Sequence, residues 1–208
     1  NKGSYTFGQN GDQSFSGLEI GEEAVDVSWE TAYKWNLGLD INTLSNALSL
    51  HADVFYDMRE GIFLARGDLP WYVGMTNMPL GNLGKVKNKG FEVSAEYKKQ
   101  FNDEWFLSLM ANCSFNRNEV VDNDVKYAYP WLDVRGQRVG QRYGYIAEKL
   151  FESDEEVAAS AYQSGDTRAG DIKYKDLNGD GKIDQYDKAP IGWGSVPEIM
   201  YGFGFSLA

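Results

Sequence analysis

Between positions 33 and 41 every second residue is apolar: Tyr33, Trp35, Leu37, Leu39 and Ile41 share one side, and Lys34, Asn36, Gly38 and Asp40 share the other. A period of two over so long a run is the mark of an extended strand with two chemically different faces. The pattern returns four times. Leu48, Leu50, Ala52, Val54 and Tyr56 oppose Ser49, His51, Asp53 and Asp57. Phe91, Val93, Ala95 and Tyr97 oppose Glu92, Ser94, Glu96 and Lys98, and Trp105 to Phe115 repeats the alternation against Ser108, Asn112, Ser114 and Asn116. At the end of the chain Tyr201, Phe203, Phe205 and Leu207 alternate with Gly202, Gly204 and Ser206. The links are of two kinds. Positions 42–46 and Phe101-Asn102-Asp103-Glu104 are turns short enough for hairpins, whereas 9–28, 59–87 and 117–196 are long and aperiodic.

The expected fold is therefore all-β: an antiparallel up-and-down meander with strands at about 29–41, 47–58, 88–98, 104–116 and 197–208. Ser153 followed three residues later by Glu156 has the form of a capping box and predicts one short helix over about 154–162. In an up-and-down meander all the short turns fall at one end and all the long loops at the other, as in outer-membrane barrels. An apolar face alone does not say whether it meets a dry core or lipid. The polar faces, which carry His51, Asp53, Glu92 and Glu96, suit a wet lumen, and the strands match the ~9–11 residues of a tilted spanning strand better than the ~5–6 of an ordinary one. No stretch reaches the ~20 apolar residues of a spanning helix.

Composition closes off other classes. A net charge of −11 gives no basic face for a nucleic acid. The one cysteine, Cys113, excludes an internal disulfide and falls in an apolar row as a packing residue. The single histidine, His51, has no cluster of metal-binding neighbours in sequence and reads as structural. Glu92 and Glu96 lie on one strand face about 13 Å apart at ~3.3 Å per residue, too far for a paired-carboxylate glycosidase. No nucleophile or phosphate-binding motif is present, so an enzyme is not expected.

One loop has a chemistry of its own. Asp176-Leu177-Asn178-Gly179-Asp180-Gly181-Lys182-Ile183-Asp184-Gln185-Tyr186-Asp187 follows the pattern of a calcium loop, with Asp where Glu usually closes the shell. Asp176, Asn178, Asp180, Asp184 and Asp187 would offer side-chain oxygens and Lys182 its carbonyl, making a structural Ca²⁺ clip. The other reading is a surface turn, since Asp, Asn and Gly favour turns without any ion. Flanks that look extended, and Pro190 beyond them, argue against the paired helices of a sensor. Four aromatic residues in the long loops, Trp71, Tyr72, Trp131 and Trp193, have two readings of equal weight: faces for stacking on sugar rings, or packing between loops.

With these residues in view, the chain resembles the SusC/RagA-type TonB-dependent outer-membrane transporters. The likeness is carried by Trp29-Glu30-Thr31 with the run to Asp40, by Leu83-Gly84-Lys85-Val86-Lys87-Asn88-Lys89-Gly90-Phe91-Glu92, by Val139-Gly140-Gln141-Arg142-Tyr143-Gly144-Tyr145, and by Gly170-Asp171-Ile172-Lys173-Tyr174-Lys175-Asp176 through Asp187 with Ile191-Gly192 and Pro197. The resemblance implies a piece of the C-terminal half of a barrel of about 22 strands around a plug. It implies outer-membrane lipid outside the barrel, a glycan or peptide substrate, a SusD-like surface lipoprotein as partner, and TonB contacted through an N-terminal part that this chain lacks. The competing expectations are a soluble calcium-containing β-sandwich that binds carbohydrate, and a β-rich hydrolase.

Overall fold

The computed structural model describes residues 4–11, 13–16, 27–67 and 78–208. Five long strands form one antiparallel sheet: β3 (Thr31–Thr43), β4 (Leu48–Ala65), β5 (Leu80–Gln100), β6 (Phe106–Asp122) and β11 (Ile199–Leu207). The spatial order is β11-β6-β5-β4-β3, so consecutive long strands are neighbours, and the outer edges of β11 and β3 have no partner strand among the described residues. β1 (Ser4–Phe7) and β2 (Gln13–Ser16) make a separate hairpin.

The two short turns are built differently. Leu44, Ser45 and Asn46 all take left-handed conformations, with φ of 53°, 57° and 68°, and the Ala47 amide donates to the Leu44 carbonyl at 3.1 Å. In the other turn Asn102 acts as a side-chain mimic of backbone: its Oδ1 accepts from the amides of Glu104 and Trp105 at 3.1 and 2.8 Å.

Three strands run past the range their alternation marks. β4 continues to Ala65, β5 begins at Leu80 and β6 ends at Asp122. A bulge at Gly61, φ 70°, kinks β4 where the extension begins. Asn82 holds this bend together. Its Nδ2 donates to the Gly61 carbonyl at 2.6 Å and to the Ser28 carbonyl at 2.9 Å, while its Oδ1 accepts from the Ser28 amide at 2.9 Å.

The connection from β6 to β11 is a small folded module. β7 (Tyr143–Tyr145) pairs with β10 (Lys188–Pro190), and β8 (Ala147–Leu150) with β9 (Ile172–Tyr174). The helix α1 (Asp154–Ala159) is shorter than the sequence suggests but starts where Ser153 predicts, with Ser153 Oγ accepting from the Glu156 amide. The return arm of the box lands one residue early: Glu156 Oε2 accepts from the Glu152 amide at 3.1 Å. That amide bond, with Lys173 and Lys149 close by, holds the Glu156 carboxyl down at about 2. The module docks on β6 through its own backbone. Val120 exchanges hydrogen bonds with Gln137 and Gly136, and the Val139 amide donates to Asn118 Oδ1. The upper edge of β6, beyond the reach of β11, is thereby paired.

The only buried apolar side chains among the described residues are Phe151 and Ala189, both inside this module. The long sheet has no core of its own. Its apolar residues are open on one side: Leu37 is 76 % exposed and Phe203 86 %.

Candidate functional site

The strand register turns five separate alternations into continuous rows. On one face Leu37, Val54, Phe91, Phe115 and Ile199 lie side by side, followed by Leu39, Ala52, Val93, Cys113 and Tyr201, then Ile41, Leu50, Ala95, Ala111 and Phe203. On the other face the rows read Gly38, Asp53, Glu92, Ser114, Met200 and Asp40, His51, Ser94, Asn112, Gly202. One face is an unbroken apolar sheet and the other is a polar wall. Burying the first against lipid while wetting the second satisfies both, and no second sheet lies over the apolar rows among the described residues.

Aromatic side chains bracket the apolar band. Trp35 and Tyr56 are opposite one another toward the long-loop end, and Tyr97 and Trp105 stand toward the hairpin end. Such girdles sit at the two water–lipid interfaces of a membrane barrel. Between these pairs the outward positions run from Leu37 to Ile41 on β3 and from Leu107 to Phe115 on β6, the latter nine residues within the ~9–11 that a tilted strand needs to cross.

On the polar wall, a cavity of about 280 Å³ is lined by His51, Asp53, Glu92, Ser94, Asn112 and Ser114. Asp53 and Glu92 are direct cross-strand neighbours, a juxtaposition that spacing along one strand does not reveal. His51 Nδ1 meets Asp40 Oδ1 at 2.5 Å across β3 and β4, which gives the histidine the structural partner its sequence position lacked.

The Asp176–Asp187 loop sits in the docked module. Gly179 and Gly181 take φ of 74° and 82°, conformations that an L side chain resists, with open space where a Cβ would go. Asp176 accepts from the amides of Gly179 and Gly181 at 2.7 and 2.9 Å, Asn178 from Asp180, and Asp180 from Lys182. Asp187 is fully buried; its oxygens accept from the amides of Leu177 and Asp184 at 2.8 Å each. Asp184 in turn caps the single turn Gln185–Asp187. Among the described residues no three His, Cys, Asp or Glu side chains converge as a ready-made metal group.

Of the four loop aromatics, Trp131 stacks on Tyr129 at 4.7 Å between centroids, and its Nε1 donates to the Tyr186 carbonyl at 2.6 Å, so it fastens the calcium-type loop to the rest of the module. Trp193 is exposed, with the Arg138 guanidinium 4.6 Å over its ring. Trp71 and Tyr72 lie outside the described residues.

Sequence reasoning missed one ionic junction. Glu198, just before β11, accepts from Arg117 Nε and Nη2 at 2.9 and 3.0 Å, and from Arg138 Nε and Nη2. The two guanidiniums, Arg138 first, hold its carboxyl down at about 2. Partners 81 and 60 residues away leave no trace in local pattern.

The family model described as TonB dependent receptor-like, beta-barrel matches residues 3–193. Curated relatives include TonB-dependent receptor P3 of Formosa agariphila, 29% identical over 95% of this chain and 21% of its own length. Another is TonB-dependent receptor SusC of Bacteroides thetaiotaomicron, 24% identical over 88% of this chain and 19% of its own. Among solved structures, the chain is similar to the RagAB peptide transporter, with TM-score 0.63 and 18% identity over 100% of this chain and 23% of that one. The chain thus spans about a fifth of the length of these relatives. Its rows of lipid-suited and water-suited residues are those of a barrel left unclosed by five strands, and the chain belongs to the TonB-dependent receptor β-barrel family, as a SusC/RagA-type segment of an outer-membrane protein.

Proposed function

We propose that this chain is wall and loop of an outer-membrane importer of glycans or peptides that works with a SusD-like surface lipoprotein and draws energy from TonB. The observation that carries the reading is the register: apolar rows unbroken across β3, β4, β5, β6 and β11, backed by a wet wall. The likeness to SusC and to a peptide transporter supports the substrate classes and the lipoprotein. A soluble carbohydrate-binding sandwich would need a second sheet over rows that stand open, and a hydrolase finds no support in a family of receptors. The test is affinity purification of the tagged parent from outer membranes, with uptake of labelled oligosaccharides and oligopeptides by cells with and without its gene. Co-purification of one lipoprotein and loss of uptake of one substrate class are expected. Unchanged uptake of both classes would reject the importer reading.

A structural Ca²⁺ in the Asp176–Asp187 loop belongs to the same proposal. The left-handed glycines and the Asp176, Asn178 and Asp180 side chains, folded onto the loop's own amides, suit a hard cation; Asp184, Asp187 and the Lys182 carbonyl would complete the oxygen set. Calorimetric titration of the parent with Ca²⁺ should give heat that Asp180→Ala diminishes. Equal heats from both proteins would leave the loop as a turn held by its own amides.

A further inference from the structure

Above the apolar band, on the same outward face, the rows change character. The row that holds Trp35 and Tyr56 continues into Lys89 and Arg117, and the next one holds Tyr33, Met58, Lys87 and Glu119. Lys87 is satisfied by Glu119 at 2.7 Å. Lys89 and Arg117 are direct cross-strand partners, a placement that costs free energy for like charges. Lys89 is exposed and has no carboxylate partner among the described residues. Arg117 shares Glu198 with Arg138. One carboxylate therefore serves two guanidiniums, with an unpaired ammonium beside them, in a chain whose net charge is −11.

We propose that Lys89 and Arg117 form a clamp for the phosphate group of a lipid headgroup in the outer leaflet. Three observations select this occupant. The clamp lies on the outward face, where Lys89 is exposed and no strand lies over it among the described residues. It shares its row with Trp35 and Tyr56, the aromatic pair at the water–lipid boundary where headgroups lie. Directly below it stand Phe91 and Phe115, stacked at 5.9 Å, with the Arg117 guanidinium 6.0 Å from the Phe115 ring. An acyl chain on Phe91 and Val54 would carry its phosphate to Lys89. Lys89 supplies the unpaired charge, and Arg117, whose Nε and Nη2 are held by Glu198, keeps Nη1 as a second donor for a phosphate oxygen.

The experiment uses the full-length parent in nanodiscs of phosphatidylcholine supplemented with lipid A or with its dephosphorylated counterpart, and counts retained glycolipid by native mass spectrometry. Wild type should retain the phosphorylated form in preference. Lys89→Gln, a change at an exposed and unpaired side chain, should lower that preference about fivefold, the factor that ~1 kcal/mol per surface cation corresponds to. Arg117→Gln should lower it further, and heat-modifiable gel migration reports whether each variant still folds. Equal retention of the two lipids by wild type, or an unchanged preference in Lys89→Gln, would overturn the proposal. So would competition by inorganic phosphate at the concentration of the lipid, which would identify a free-anion site. Import plays no part in this readout, so loss of the importer reading would leave it standing.

Discussion

At the scale of single residues, the fold depends on a few positions where chemistry leaves one choice. Gly90 is one. A Cβ there would come 2.1 Å from the Phe115 carbonyl and 2.5 Å from Phe55 Cζ. The ring could swing aside, but the carbonyl belongs to the paired strand. Gly90→Ala in the parent is expected to cost roughly 1–3 kcal/mol, read as a lower unfolding temperature. Adding Phe55→Ala should not restore it, because the backbone contact remains; restoration would mean that the ring alone set the requirement. Glu198 is the other. Its folded carboxyl titrates at about 2, against an ordinary 4.5. A depressed value means that the contribution to stability is present above 4.5 and is lost as pH falls toward 2. Acidification through this window should loosen the loop module from β6, measured as faster amide exchange at Gly136 and Val139. Glu198→Gln should show the loosened state already at neutral pH, with that part of the acid dependence gone. The residue scale is also where the sequence was least informative. Asp176, Asn178 and Asp180 announced a turn or an ion, while Glu198, Arg138 and Arg117 gave no sign of one another until the chain was folded.

At the scale of elements, legibility followed the solvent. Alternation is visible only where the two faces of a strand meet different media, and the apolar band is where they do. Beyond the band, at 58–65, 80–88 and 118–122, the two faces no longer meet different media, so Arg59, Lys85, Asn88 and Asn118 carry no period and the strands there read as loop. The same reasoning predicts a difference between adjacent residues. Val93 and Ser94 are neighbours on β5, but Val93 lies in the middle outward row and Ser94 on the wet wall. Val93→Arg should destabilise the parent by about 2–4 kcal/mol, the cost of a cation near the bilayer midplane, seen as lower yield of heat-modifiable barrel. Ser94→Arg should assemble normally. Equal assembly of both variants would show that the Val93 row does not face lipid.

At the scale of the whole molecule, five strands expose two backbone edges and one apolar face, so the stability of each strand depends on where it lies in the order β11-β6-β5-β4-β3. β5 has β4 beside it from Leu80 to Tyr97 and β6 from Lys85 to Gln100, so it is paired on both sides from Lys85 to Tyr97. β3 and β11 have one neighbour each among the described residues, and a closed barrel must supply the second from elsewhere in the parent. In detergent, the 208-residue piece alone should therefore show graded amide exchange. Protection should be highest in β5, lower in β4 and β6, and lowest in β3 and β11, whose free edges leave half their amides to solvent. In the parent the gradient should vanish across the band, because every edge is paired and the apolar rows share one medium. A free-standing piece whose β3 and β11 amides were as protected as those of β5 would mean that the strands find a partner without the rest of the barrel. A sandwich closing on its own apolar face would do so, and the lipid reading of the rows would then fail with the barrel.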